Sequence, residues 1–126
     1  MVVTCDCTAA VASGDTTETQ IGTLTMPTNC KRVLGIGIGS PSTATLTTVE
    51  NMTGYFRVQN DAIDVTPGKF PFQGPAIVGT GGCYCPFKIW PVDWTGVASS
   101  TFTFYVTMDM AQTANPTYRA FVIYEK

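Results

Sequence analysis

Apolar and polar residues alternate with a period of two along much of this chain, and no stretch holds a helical period beyond about two turns. In residues 101–110, Phe102, Phe104, Val106, Met108 and Met110 fall on one face, and Thr101, Thr103, Tyr105, Thr107 and Asp109 fall on the other. Successive side chains of a strand point to opposite faces, so this segment predicts a long strand that covers a core with one side. Residues 118–124 alternate less cleanly and are apolar on both faces, which suits a strand with layers above and below. Residues 31–39 place Leu34, Ile36 and Ile38 on one face and Gly35, Gly37 and Gly39 on the other. A face of bare glycines lets another backbone or a ring approach closely.

Further strands are predicted at 2–9, 20–26, 43–49, 53–59, 75–78 and 86–90, which brings the candidates to nine for a fold of about eight strands. Turn clusters separate them: Ser13-Gly14-Asp15, Pro27-Thr28-Asn29, Gly39-Ser40-Pro41-Ser42, Thr66-Pro67-Gly68, the glycine-rich residues 79–82, and Ala114-Asn115-Pro116. Short strands divided by such turns form an antiparallel all-β sandwich or barrel, and a single two-sheet sandwich of jelly-roll type over residues 1–126 is the expected architecture. Residues 61–94 are rich in Pro and Gly and hold few well-formed strands. They read as loops gathered at one end, or as a long crossover packed beside the sheets.

Charged residues make up 13% of the 126, about half the usual share. Threonine, at 21 positions, fills the polar surface in their place, and its β-branched side chain sits well on a pleated face. The formal net charge is −2, and the seven cations (Lys31, Arg32, Arg57, Lys69, Lys88, Arg119 and Lys126) are scattered. Direct nucleic-acid binding, which needs a basic patch or arm, is therefore not expected. Weak charge repulsion favours association, so the partners expected are copies of the chain itself. No stretch approaches the roughly 18 to 20 apolar residues of a membrane-spanning helix. The opening Met-Val-Val-Thr-Cys-Asp-Cys has neither a basic nor an apolar region of the kind a signal peptide uses.

Candidate chemistry is sparse. The chain has no histidine, which removes the commonest general base and every triad that depends on one. Carboxylate pairs remain, with Asp61 and Asp64 nearest in sequence and Asp93 beyond them, but none lies in a catalytic motif. Asp61 and Asp64 also lack the ligand density of a calcium loop. The expectation is a protein that is not an enzyme and uses no metal or other cofactor.

Five cysteines occur as Cys5-x-Cys7, Cys30 and Cys83-x-Cys85. Residues two apart on a strand share a face, so each C-x-C sets two sulfurs side by side. Three readings fit: disulfides among Cys5, Cys7, Cys83 and Cys85, such as Cys5 with Cys83; a four-thiolate metal site, whose usual spacing is C-x-x-C; or buried thiols without bonds. The odd count leaves one thiol unpaired within the chain or joined to another chain. Tyr84, Phe87, Trp90 and Trp94 crowd one segment, either as interface or core-sealing aromatics or as a stacking platform for a glycan. Asn51-Met52-Thr53 is a formal glycosylation sequon.

The threonine-rich strands, the Gly-Ile-Gly-Ile-Gly run at 35–39, the Pro-Gly-Lys-Phe-Pro-Phe segment at 67–72 and the apolar final strand ending in Tyr124-Glu125-Lys126 resemble single jelly-roll viral coat proteins. The resemblance implies an eight-stranded subunit that tiles into a shell, located in the virion, with homo-oligomeric contacts and contacts to other shell components. Many such coats carry a basic terminal arm, and this chain has none. The resemblance then implies that genome charge is met by another component or an internal membrane, or that the chain is a decoration or vertex subunit. The alternatives are a lectin-like carbohydrate-binding sandwich and a fibre or surface-layer subunit, extracellular or on a cell surface.

Overall fold

A computed structural model describes the backbone of residues 2–10, 17–42, 51–65, 70–78, 82–84, 87–108 and 117–126, and the side chains of residues 17–39, 54–65, 70–71, 88–108 and 118–126. The described residues form ten strands: β1 (Val2–Ala10), β2 (Thr19–Thr25), β3 (Arg32–Ser42), β4 (Asn51–Asn60), β5 (Ile63–Asp64), β6 (Phe70–Val78), β7 (Gly82–Tyr84), β8 (Phe87–Thr95), β9 (Thr101–Met108) and β10 (Thr117–Glu125). They make a two-sheet antiparallel sandwich, with the order β1-β10-β3-β8 in one sheet and β2-β9-β4-β6-β7 in the other, β5 pairing with β4. The expected all-β sandwich with about eight strands is what forms, since β5 and β7 are only two and three residues long.

The pairing is nested. Among the eight longer strands the first pairs with the last, β1 with β10, and the second with the seventh, β2 with β9. The third pairs with the sixth, β3 with β8, and the two middle strands, β4 and β6, pair with each other. Ladders β10·β3 and β9·β4 join these pairs into sheets. Between long strands, only the β4-to-β6 link stays within one sheet.

The alternation in β9 is realised directly: Phe102, Phe104, Val106 and Met108 are buried, and the residues between them are half-buried. From the facing sheet Val33, Ile36, Ile38, Tyr118, Ala120, Val122 and Tyr124 meet them, while Met26, Cys30 and Val97 close one end. Each such large apolar side chain gains about 1.5–3 kcal/mol by leaving water. The loop after β8 reverses tightly, with Gly96 at φ 71° and Ser99 at φ 63°, and the Ser100 hydroxyl donates to the Val97 carbonyl.

Three expectations need correction. In β3 the core position is Val33, not Leu34. Both of its ladders shift register between Val33 and Gly35, so Leu34 occupies a bulge and the inward parity resumes at Ile36. Gly39 to Ser42 is strand and not turn: β3 continues to Ser42, and Pro41 falls where Ser40 and Pro41 oppose Tyr118 alone, a bulge that tolerates a missing donor. Residues 61–94 hold β5 to β8 and are not chiefly loop. The strands expected at 2–9, 20–26, 53–59, 75–78 and 86–90 are present as β1, β2, β4, β6 and β8, the last two longer than expected. The strand expected at 43–49, Met110, and the turns at 13–15, 66–68 and 114–116 lie outside the described residues.

Candidate functional site

β8 is the edge of its sheet, and its alternate residues Trp90, Val92 and Trp94 are half-buried against the core. The Trp90 ring stacks on Phe70, with centroids 4.6 Å apart, and on Phe56, at 5.6 Å. Phe56 in turn lies parallel to Phe104 at 5.8 Å, and Trp94 stacks on Phe102 at 5.9 Å. Offset stacks of this kind add about 0.5–1.5 kcal/mol per pair to the burial itself. Both tryptophans thus seal a flank of the sandwich. The side chains of Tyr84 and Phe87, named with them as interface or stacking candidates, lie outside the described residues.

The outer face of the same sheet holds an apolar strip over the glycines of β3, with Arg119 and Glu125 on the same face of β10. Phe121 of β10 is paired with Gly37, and a methyl group built on Gly37 would overlap the Phe121 ring carbons. An aromatic lying over a strand glycine shields its backbone and fixes register. Ile123 and Ile89 flank Gly35 within ordinary contact, and Ile89 remains 50% exposed. The glycine face read from the sequence therefore receives a ring from its own sheet. The second apolar side of 118–124 rests on these glycines and not, among the described residues, on a covering layer.

The acidic candidates are engaged in structure. Asp61 takes φ 48° in the turn after β4, accepts the Thr101 N–H at 3.0 Å on its carboxylate, and donates its own N–H to the Thr101 carbonyl at 2.7 Å. Asn60 Nδ2 donates to Ser100 Oγ at 2.9 Å beside it. Asp64 instead meets Arg57 Nη1 at 2.7 Å, while Arg57 Nη2 and Nε reach the two Glu18 oxygens at 2.6 and 2.9 Å. The guanidinium lies 4.2 Å over the Tyr105 ring, whose hydroxyl donates to Gln59 Oε1 at 3.3 Å. Arg57 holds the Asp64 carboxyl below the usual carboxylate range, and Glu18 above all holds the Arg57 charge firmly in place. Asp93 sits 3.8 Å from Arg32, which also pairs with Glu125 at 3.3 Å. The Glu18–Arg57–Tyr105 knot was not legible in sequence, because its members stand far apart along the chain.

Cys5 and Cys7 stand on β1, opposite Val122 and Ala120, while Cys83 stands on β7, opposite Ile77. β1 and β7 are terminal strands of different sheets; β1 lies beside β2, whereas β7 hangs from β6 at the other end of the second sheet. Their side chains, and Cys85 altogether, lie outside the described residues. Cys30 is buried as a free thiol, and desolvation pushes its ionisation upward. Among the described residues no three Asp, Glu, Cys or His side chains gather as a metal would need. Nor is any described helix long and apolar enough to cross a membrane.

Compared with protein-family models and with curated proteins, the chain matches none.

Proposed function

We propose that the chain is a structural, self-assembling subunit of a viral shell, either a coat protein or a decoration subunit of the virion. The nested order, first strand with last and middle strands with each other, supports it best. Such an order is the one a doubled-back jelly-roll ribbon would give, and capsid and lectin domains use that architecture. Fold alone does not assign function. The inward stacking of Trp90 and Trp94 weighs against a glycan platform on β8 and leaves the shell reading in front. The apolar strip of Phe121, Ile123 and the half-exposed Ile89 suits burial between subunits.

The test is direct. Purified chain at near-native ionic strength is expected to form regular particles or sheets by light scattering and negative-stain microscopy. A monodisperse monomer at every concentration overturns the shell reading. Quenching of tryptophan fluorescence by a glycan would favour the lectin alternative.

A further inference from the structure

The edges of the two sheets are guarded unequally. β8 carries Lys88, Pro91 and Asp93 and a register shift against β3. β2 breaks its register between Gln20 and Gly22, and β7 is three residues long. Cations, prolines, bulges and shortness are the devices that keep an edge strand from recruiting another strand. β1 has none of them. Its nine residues keep unbroken register with β10, contain no Pro, Gly, Lys or Arg, and carry Asp6 as their one charge. β2 lies beside β1 across the sandwich, but no ladder joins the two. In an antiparallel strand paired on one side, alternate residues aim N–H and C=O away from the partner. β1 therefore presents a row of backbone donors and acceptors for which the described residues offer no second ladder.

We propose that β1 is a docking edge for a second copy of this chain, pairing antiparallel with its own counterpart so that two four-stranded sheets continue as one of eight. A strand that meets itself antiparallel closes after two copies, and its length matches by identity. The net charge of −2 leaves little repulsion between copies. Charge also disfavours one register. Centring the pair on Asp6 sets two carboxylates opposite each other, which is unfavourable. Centring it on Cys5 or on Cys7 sets Asp6 opposite Thr4 or Thr8 of the partner subunit, and brings one cysteine opposite its own counterpart. In either of those two registers a cysteine of β1 marks the centre of the interface.

This inference deepens the assembly reading by naming one contact, and it fails separately from it. Light scattering across a concentration series, with hydrogen exchange on the same samples, is the test. Dimers are expected, and alternate amides of residues 2–10 are expected to slow at least about tenfold as they form. Of the adjacent variants Thr4→Pro and Cys5→Pro, one removes an N–H on the free edge; that variant is expected to keep the fold and lose the dimer. Mild oxidation of the dimer is expected to give a covalent pair that Cys5→Ser or Cys7→Ser alone abolishes. Monomers at every concentration, dimers with unchanged exchange in β1, or β1 protection only on adding a foreign extended peptide would each overturn self-pairing. Particles without β1 protection overturn this edge alone, and dimers that never form particles overturn the shell alone.

Discussion

Phe56 and Arg57 are consecutive residues of β4, as Phe104 and Tyr105 are of β9, yet the two faces they occupy behave differently. The inner pair joins a stacked column with Trp90 and Phe70, where each ring loses water on burial and gains ring contacts. The outer pair forms a charged knot with Glu18 and Asp64, where attraction competes with the hydration that each charge gives up. One face supplies stability. The other ties the segment before β2 and the short β5 hairpin onto the sheet, and makes that tie sensitive to pH.

The contrast can be broken most forcefully at Phe56. Phe56→Ala is expected to cost about 3–5 kcal/mol in urea unfolding, with the midpoint falling and the slope unchanged. A loss no larger than that of an outer-face variant would show that the column does not carry the core. The other sheet offers the same comparison between Gly37 and its core-facing neighbours. Gly37→Val forces the Phe121 ring off its seat and is expected to cost about 1–3 kcal/mol by thermal unfolding. At the outer knot, Arg57→Met is expected to cost only about 1 kcal/mol, because most of what it removes is attraction between partly hydrated groups. Amide exchange in residues 63–65 should nonetheless quicken, since Asp64 loses its anchor.

The smallest effect is one of pH. The carboxyl of Asp64 is depressed in the folded chain, so its contribution is present above the unfolded value of about 3.9 and lost as pH falls through the folded value. A stability-pH profile is expected to droop on the acid side, and Arg57→Met should flatten that droop. An identical profile in both proteins would show that Asp64 and Arg57 are not coupled.

How much of this was legible beforehand follows the physics of each segment. β9 was readable because one face is buried without interruption and period two survives intact. Leu34 leaves the inward parity because, against β10, a bulge inserts it as one extra residue of β3, which carries no mark in composition. The strands in 61–94 were hidden by prolines taken as breakers. Pro91 lies on an edge strand, Pro71 on the part of β6 that pairs with β4 alone, and Pro75 where the β4–β6 register shifts; each is a place where a missing donor is tolerated. Asp61 and Asp64 are visible in the sequence, but their contacts with Thr101 and Arg57 follow from strand pairing, which spacing in sequence does not encode. Trp90 and Trp94 stack on Phe56, Phe70 and Phe102, residues of other strands that their own segment does not reveal.

The nested pairing also orders events in time. β10, the last of the ten described strands in chain order, lies between β1 and β3 and among the described residues is the sole link between them. Until it arrives, the β2-β9-β4-β6 sheet is able to assemble while β1 has no ladder among the described residues, and closing Val2 onto Glu125 joins positions far apart in sequence. Such long-range closure is slow, and it leaves β1 without its β10 ladder until β10 has emerged.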